Sequence, residues 1–184
     1  MIRHKRRSYT ALLVGALLGT TSVLAAESRK TDSEQVSKLL IDAKSEALVL
    51  QRDAEQLSAF TQSSVSWQSY ADQLSQTRTH VNKVGSIIQQ LNDLRVISSQ
   101  WQRIAINRLT PLLNELANNT QHTITKLNAN PNAVHSASYR KYVSAHQELA
   151  GDLATMIGSF VDYGRTKEKF EALTRKLELP EEQQ

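Results

Sequence analysis

The sequence predicts an all-α fold: an up-down-up-down antiparallel four-helix bundle with an extended or hinged C-terminal helix, following a cleaved signal peptide. Three observations predict it. Apolar residues recur at alternating steps of four and three through most of the chain, the period of helices that pack their seams together at shallow angles. Short breaks rich in Ser, or in Asn and Pro, divide this pattern into four stretches, and short connections make successive helices antiparallel. No period-two alternation competes with them.

The N-terminal stretch has the layout of a secretory leader. Arg3, Lys5, Arg6 and Arg7 form a basic start, Ala11 to Leu18 an apolar core, and Val23-Leu24-Ala25-Ala26 a small-residue cleavage region. The apolar core is far shorter than the roughly 20 residues a spanning helix needs. Residues 1–26 are therefore read as a signal peptide cut near Ala25 or Ala26, with an uncleaved anchor as the alternative. Arg6-Arg7 opens a loose twin-arginine pattern, but its flanks match poorly, so general secretion is expected. The expected location is periplasmic or secreted.

Removing that leader changes the charge argument. It holds four of the 22 Lys and Arg and none of the 18 Asp and Glu, leaving 18 of each. The basic pI of the whole chain thus belongs to the leader, and no nucleic-acid partner is expected. With no cysteine, the chain has no disulfide framework, thiolate metal site, covalent c-type haem attachment or lipidated cysteine. A chain of this length buries about 70 % of its unfolded surface, so its core needs neither metal nor staple.

Residues 27–32 are polar and read as a tether. Ser33 is placed to cap helix one (33–60), whose stripe is Val36, Leu40, Ala43, Ala47, Leu50, Ala54 and Leu57. A Ser-rich turn follows, with Ser63 or Ser64 as cap. Helix two (66–95) carries Trp67, Ala71, Leu74, Thr77, Val81, Val84, Ile88, Leu91 and Leu94. Ser98 and Ser99 mark the next break, and helix three (100–128) carries Trp101, Ala105, Leu109, Leu112, Leu116, Thr123 and Leu127. Pro111 lies inside it and is expected to kink the helix, or to restart it with Thr110 as cap. The stripe keeps phase across it, which favours a kinked continuous helix.

Asn128-Ala129-Asn130-Pro131-Asn132 reads as a loop, and Ser136 or Ser138 starts helix four (138–178). Tyr142, His146, Leu149, Leu153, Met156, Phe160 and Tyr163 are its expected seam, and Phe170, Leu173 and Leu177 continue the stripe. This helix is longer than its neighbours: level with them it reaches the far end near Lys167, leaving about 15 Å of surplus at 1.5 Å per residue. Residues 180–184 are expected to be a disordered tail.

Chemistry is sparse. There is no Glu-x-x-His or His-x-x-x-His pair, no glycine-rich phosphate loop, and no nucleophile placed beside a base. Of His80, His122, His135 and His146, only His146 lies squarely in a seam, where a single polar residue commonly sets register. His80 is read as a flank residue. Met156 and His146 lie about 15 Å apart on one helix, so one haem iron cannot be held by both. No catalytic residue, metal site or cofactor is expected. Gln89, Gln90, Asn92, Asn114, Asn118, Asn119, Thr120 and Gln121 make an uncharged polar face on helices two and three, read as solvated rather than as a partner or glycan surface. Gly151 and Gly158 leave room on the outer side of helix four.

The distinctive stretch is the end of helix four. Gly164 is a candidate hinge, and Arg165, Lys167, Phe170, Leu173 and Leu177 complete a basic, apolar surface. The expected role is a non-enzymatic interaction, scaffold or adaptor module of the cell envelope. This surface would serve self-association, an unknown protein partner, or peripheral contact with an anionic membrane. The alternative is a ligand-binding bundle holding haem, a metal or an apolar molecule.

Overall fold

The fold is described from a computed structural model, which places residues 31–178. The leader of residues 1–26 and the tail of 180–184 lie outside the described residues. Four α-helices form a bundle: α1 (Glu34–Phe60), α2 (Trp67–Asp93), α3 (Gln100–Ala129) and α4 (Ala137–Lys176). Each begins and ends within two residues of its expected span. No strand occurs among the described residues, and no described helix is long and apolar enough to cross a membrane.

The breaks are made by side-chain oxygens that take up amide groups left over in first turns. Ser33 accepts from the Val36 amide and caps α1. Ser66, rather than Ser63 or Ser64, caps α2 by accepting from the Ser69 amide. Ser63 instead donates back to the Phe60 carbonyl and finishes the turn after α1. At α3 the spacing Ser99-x-x-Gln102 makes the return bond of a capping box, the Ser99 amide donating to Gln102 Oε1 at 3.0 Å. The expected loop at 128–132 is shorter than its composition suggested. Residues 128 and 129 finish α3, and Pro131–His135 is a 3-10 turn whose Val134 reaches the core. Ser136 then caps α4 through the Tyr139 amide.

α3 runs unbroken through Pro111, so the helix does not restart there. The Thr110 hydroxyl donates to the Ile106 carbonyl at 2.8 Å instead of capping a new helix.

α1 and α3 each pack mainly against α2 and α4. The larger apolar cluster draws on all four helices, from Val36 and Leu40 through Val84, Leu109 and Leu116 to Leu153 and Ile157. A smaller one closes the end near Leu57, Leu74, Leu127, Val134 and Val143, where Phe60, Tyr70 and Tyr139 meet edge to face with centroids 5.6 Å apart. All seven expected core residues of α1 are buried.

α4 departs from expectation. Its buried face is Tyr139, Val143, His146, Ala150, Leu153, Ala154, Ile157 and Val161, whereas Tyr142, Leu149, Met156 and Phe160 are half-buried flanks and Tyr163 is exposed. The expected seam followed the largest side chains. The buried face instead keeps His146 and Leu153 of that seam and joins to them Tyr139, Val143, Ile157 and Val161 with the small Ala150 and Ala154, because angular position relative to the neighbouring helices decides burial. A similar exchange occurs at the start of α2, where Tyr70 is buried and Trp67 is 44 % exposed.

Candidate functional site

The end of the bundle where α4 overruns its neighbours is held by an interlocked set of polar contacts. Gln102, fully buried, spends its whole amide there: Oε1 accepts from the Ser33 and Ser99 amides, both at 3.0 Å, and Nε2 donates to the Ser33 carbonyl at 2.9 Å and Ser37 Oγ at 3.1 Å. This ties the start of α1 to the start of α3. Asp32 adds the third helix: its Oδ1 accepts from Trp101 Nε1 at 2.7 Å and its Oδ2 from Lys167 Nζ at 2.9 Å. Lys167 also donates to Glu171 at 2.6 Å, one turn on. Burial works to raise the Asp32 pKa, but its polar neighbours Ser99, Lys167 and Trp101 outweigh it and hold the carboxyl below its usual range. Asp32 is therefore pinned rather than part of a loose tether.

At Gly164, the candidate hinge, the structure shows a packing contact. α4 is continuous through it, and a Cβ placed there would stand 2.9 Å from Trp101 Cη2. The missing side chain is a seat for the indole, which also meets the Tyr163 ring with centroids 5.3 Å apart. Trp101, read from its spacing as a seam residue, is half-buried and acts as the strut between α3 and the emerging helix.

Beyond Lys167 the helix continues alone to Lys176, about 14 Å at 1.5 Å per residue. Phe170, Leu173 and Leu177 are 61 %, 56 % and 61 % exposed. They do not prolong the core stripe: Phe170 lies nine residues after buried Val161, about half a turn round the helix. They extend the outer line of Tyr142, Leu149, Met156 and Tyr163, spaced by seven, which lies half-buried along the bundle and is uncovered beyond it. Arg165 makes no hydrogen bond or ion pair with another described residue, and Lys169 and Lys176 flank the strip. Of the six residues singled out from the sequence, Gly164 and Lys167 thus fasten the helix to the bundle. Phe170, Leu173 and Leu177 form the uncovered strip.

Two histidines have settings that spacing did not disclose. His80 stands between two α1 carboxylates, its Nδ1 paired with Glu46 and its Nε2 3.7 Å from Asp53 Oδ2; Lys83 Nζ lies 3.5 Å from Glu46. Asp53 is almost completely buried, and burial raises its pKa against the opposing pull of His80 and Gln73. Glu46 and Asp53 are seven residues apart, the separation that puts both on one face, and this was the available signal. His146 is fully buried. Its Nδ1 is 3.2 Å from Thr120 Oγ1, which donates onward to the Leu116 carbonyl at 2.8 Å, and its Nε2 has no partner. Burial pushes its pKa down to about 4, so the ring is neutral at pH 7. Among the described residues no group of three or more His, Asp or Glu is arranged to hold a metal ion.

The amides of α2 and α3 do not form one face. Thr120 is buried against His146, Asn119 accepts from Thr123, and Gln121 donates to Thr125, while Gln89, Asn92 and Asn114 converge on a groove between the two helices. Gly151 faces open space, and a Cβ placed at Gly158 would stand 3.7 Å from Lys44 Cε.

Comparison of the chain with protein-family models, curated proteins and solved structures finds no match.

Proposed function

We propose that this protein is an exported, non-enzymatic interaction module of the cell envelope, folded as an up-down-up-down antiparallel bundle that presents the end of α4 to a partner helix. The pairing of residues supports the path. Glu46 meets His80 and Asp53 meets Gln73; Asn92 meets Thr110 and Arg95 meets Asn107; Lys126 meets Tyr142 and Trp101 meets Tyr163. In each couple one number rises as the other falls, as antiparallel neighbours require.

The observation that carries the functional reading is a fixed helix with an uncovered apolar strip. Tyr163, Phe170, Leu173 and Leu177 follow a three-and-four spacing, and Thr166 fills the remaining position, which is the pattern of a helix-in-groove or coiled-coil contact. The Asp32, Trp101 and Lys167 contacts hold the base of this helix in place, so a partner does not have to order it on binding. Charge favours a helical partner over an anionic membrane. Arg165, Lys167, Lys169, Arg175 and Lys176 are matched over 165–184 by Glu168, Glu171, Glu178, Glu181 and Glu182. A second copy of the chain supplies such a helix.

The test compares the wild-type chain with F170S/L173S/L177S and with a chain ending after Lys167, which keeps the clasp. Light scattering and chemical cross-linking in envelope extracts are the readouts. Loss of the dimer mass or of the cross-linked partner in both variants is expected. Unchanged mass and cross-linking in both would sink the proposal.

A further inference from the structure

A second surface lies on the other pair of helices. Between α2 and α3 runs an open groove of about 260 Å³ with an aliphatic floor of Val81, Ile88 and Leu113. Gly85 opens the floor, since a Cβ there would meet only Leu113 Cδ2, at 3.8 Å. The rim is made of amides: Asn82 and Gln89 on α2, Asn114 on α3, and Asn92 at one end. None of the lining residues is charged, although charged residues make up 22 % of the chain.

We propose that this groove binds an uncharged carbohydrate chain. The Asn82 and Asn114 side chains make no hydrogen bond to a described residue, so each offers two donors and an acceptor to the groove. Asn92 donates to the Ile88 carbonyl and to Thr110, and Gln89 donates to Asp93, which leaves both amide oxygens as acceptors. Such a mixed set matches hydroxyl groups, each of which donates and accepts. The narrow strip of aliphatic floor left accessible at Gly85, where Val81, Ile88 and Leu113 are 3 to 6 % exposed, takes the C–H edge of a sugar ring. A lining without charge gives no attraction to phosphate, carboxylate or cation.

Peptide modes fit less well. An extended peptide adds to a sheet edge, a polyproline segment needs aromatic walls, and an amphipathic helix needs apolar anchor pockets; this groove has an amide rim and no aromatic lining residue. An aliphatic floor and an open shape set a modest affinity, about 1 mM.

The test follows the amide NMR signals of Gly85 and the side-chain NH₂ signals of Asn82 and Asn114 in the full chain. Neutral tetrasaccharides of N-acetylglucosamine and of glucose are titrated to about 10 mM. At least one is expected to shift these signals saturably. N82A/N114A should weaken binding about tenfold, the loss of one to two hydrogen bonds. G85L fills the groove while replacing a helix glycine, so it should abolish the shifts and leave the thermal melt intact. No saturable shift with either sugar, shifts that persist in G85L, or equal shifts with a neutral tetra-alanine peptide would overturn the proposal. F170S/L173S/L177S should leave the titration unchanged, which separates this site from the α4 strip.

Discussion

One helix shows two opposite uses of apolar residues. Between Tyr139 and Val161, α4 buries small and polar side chains together with large ones: Ala150, Ala154 and His146 lie beside Leu153 and Ile157. Past Gly164 it keeps large apolar residues and buries none. Size therefore does not decide burial on this helix. What decides it is the angular position relative to the neighbours, and the availability of neighbours at that height. The lower part is core because α1 and α3 flank it, while the upper part has no described helix beside it at that height.

The largest effect should come from shortening one leucine in each region. Leu153 is fully buried in the main cluster, so Leu153→Ala removes its transfer free energy and leaves a cavity, costing about 3 to 5 kcal/mol in urea unfolding. Leu173→Ala loses only contacts already wet and should change stability by less than about 0.5 kcal/mol. Equal losses would mean that the α4 end is packed in solution and that the contrast between the regions is wrong.

His146 sharpens the same contrast through pH. Its pKa falls from 6.5 when exposed to about 4 in the fold because burial disfavours the cation. Below pH 6.5 the unfolded chain takes up a proton that the folded chain refuses. The contribution is thus complete above 6.5 and is lost as pH falls toward 4, about 3 kcal/mol for a shift of this size. Asp32, held below its usual range, has the same sign but acts at lower pH, near and below 3.8. Urea midpoints measured between pH 7 and 4.5 should slope downward in the wild type and markedly less in H146L. Identical slopes would show that the imidazole is hydrated.

The stripe of α1 was readable in full because its seven core residues keep an unbroken four-and-three spacing, from which the exposed Ile41 and Leu48 stand apart, and because its polar residues, Asp53 excepted, are not buried. On α4 two lines of apolar residues run side by side. The sevenfold line of Tyr142, Leu149, Met156, Tyr163, Phe170 and Leu177 runs about 100° to one side of the buried line of Val143, Ala150 and Ile157, so it flanks the core along the bundle and is uncovered beyond it. Taking the bulkiest residues as the seam merged that line with the true one. The overrun of α4 was legible, because helix lengths alone place Lys167 level with the start of α1. Its fastening was not. Gln102, Asp32, Trp101 and Lys167 come together through contacts that span 69 to 135 residues of sequence, and only the Ser99-x-x-Gln102 spacing hinted at one of them. The packing contact of the glycine at 164 was hidden for a related reason: its partner is an indole on another helix, which no local pattern discloses.

The smallest effect separates two glycines of α4 that look alike in sequence. At Gly151 a methyl group meets nothing within 4 Å, so Gly151→Ala should raise stability by about 1 kcal/mol through reduced unfolded-state freedom and better helix propensity. At Gly164 the same methyl stands 2.9 Å from Trp101 Cη2 and 3.2 Å from Cζ2, atoms of a rigid ring whose nitrogen is bonded to Asp32. The propensity gain is the same, but displacing a packed ring typically costs 1 to 3 kcal/mol, so Gly164→Ala should be destabilising by about 1 kcal/mol net. The decisive comparison is Gly164→Ala in a Trp101→Phe background, where the smaller ring relieves the clash and the sign should turn toward that of Gly151→Ala. Thermal melts of the wild type, G151A, G164A, W101F and W101F/G164A measure it. If Gly164→Ala stabilised the wild type outright, the indole would not be seated on α4, and the fixed base that makes the projecting helix ready for a partner would be lost with it.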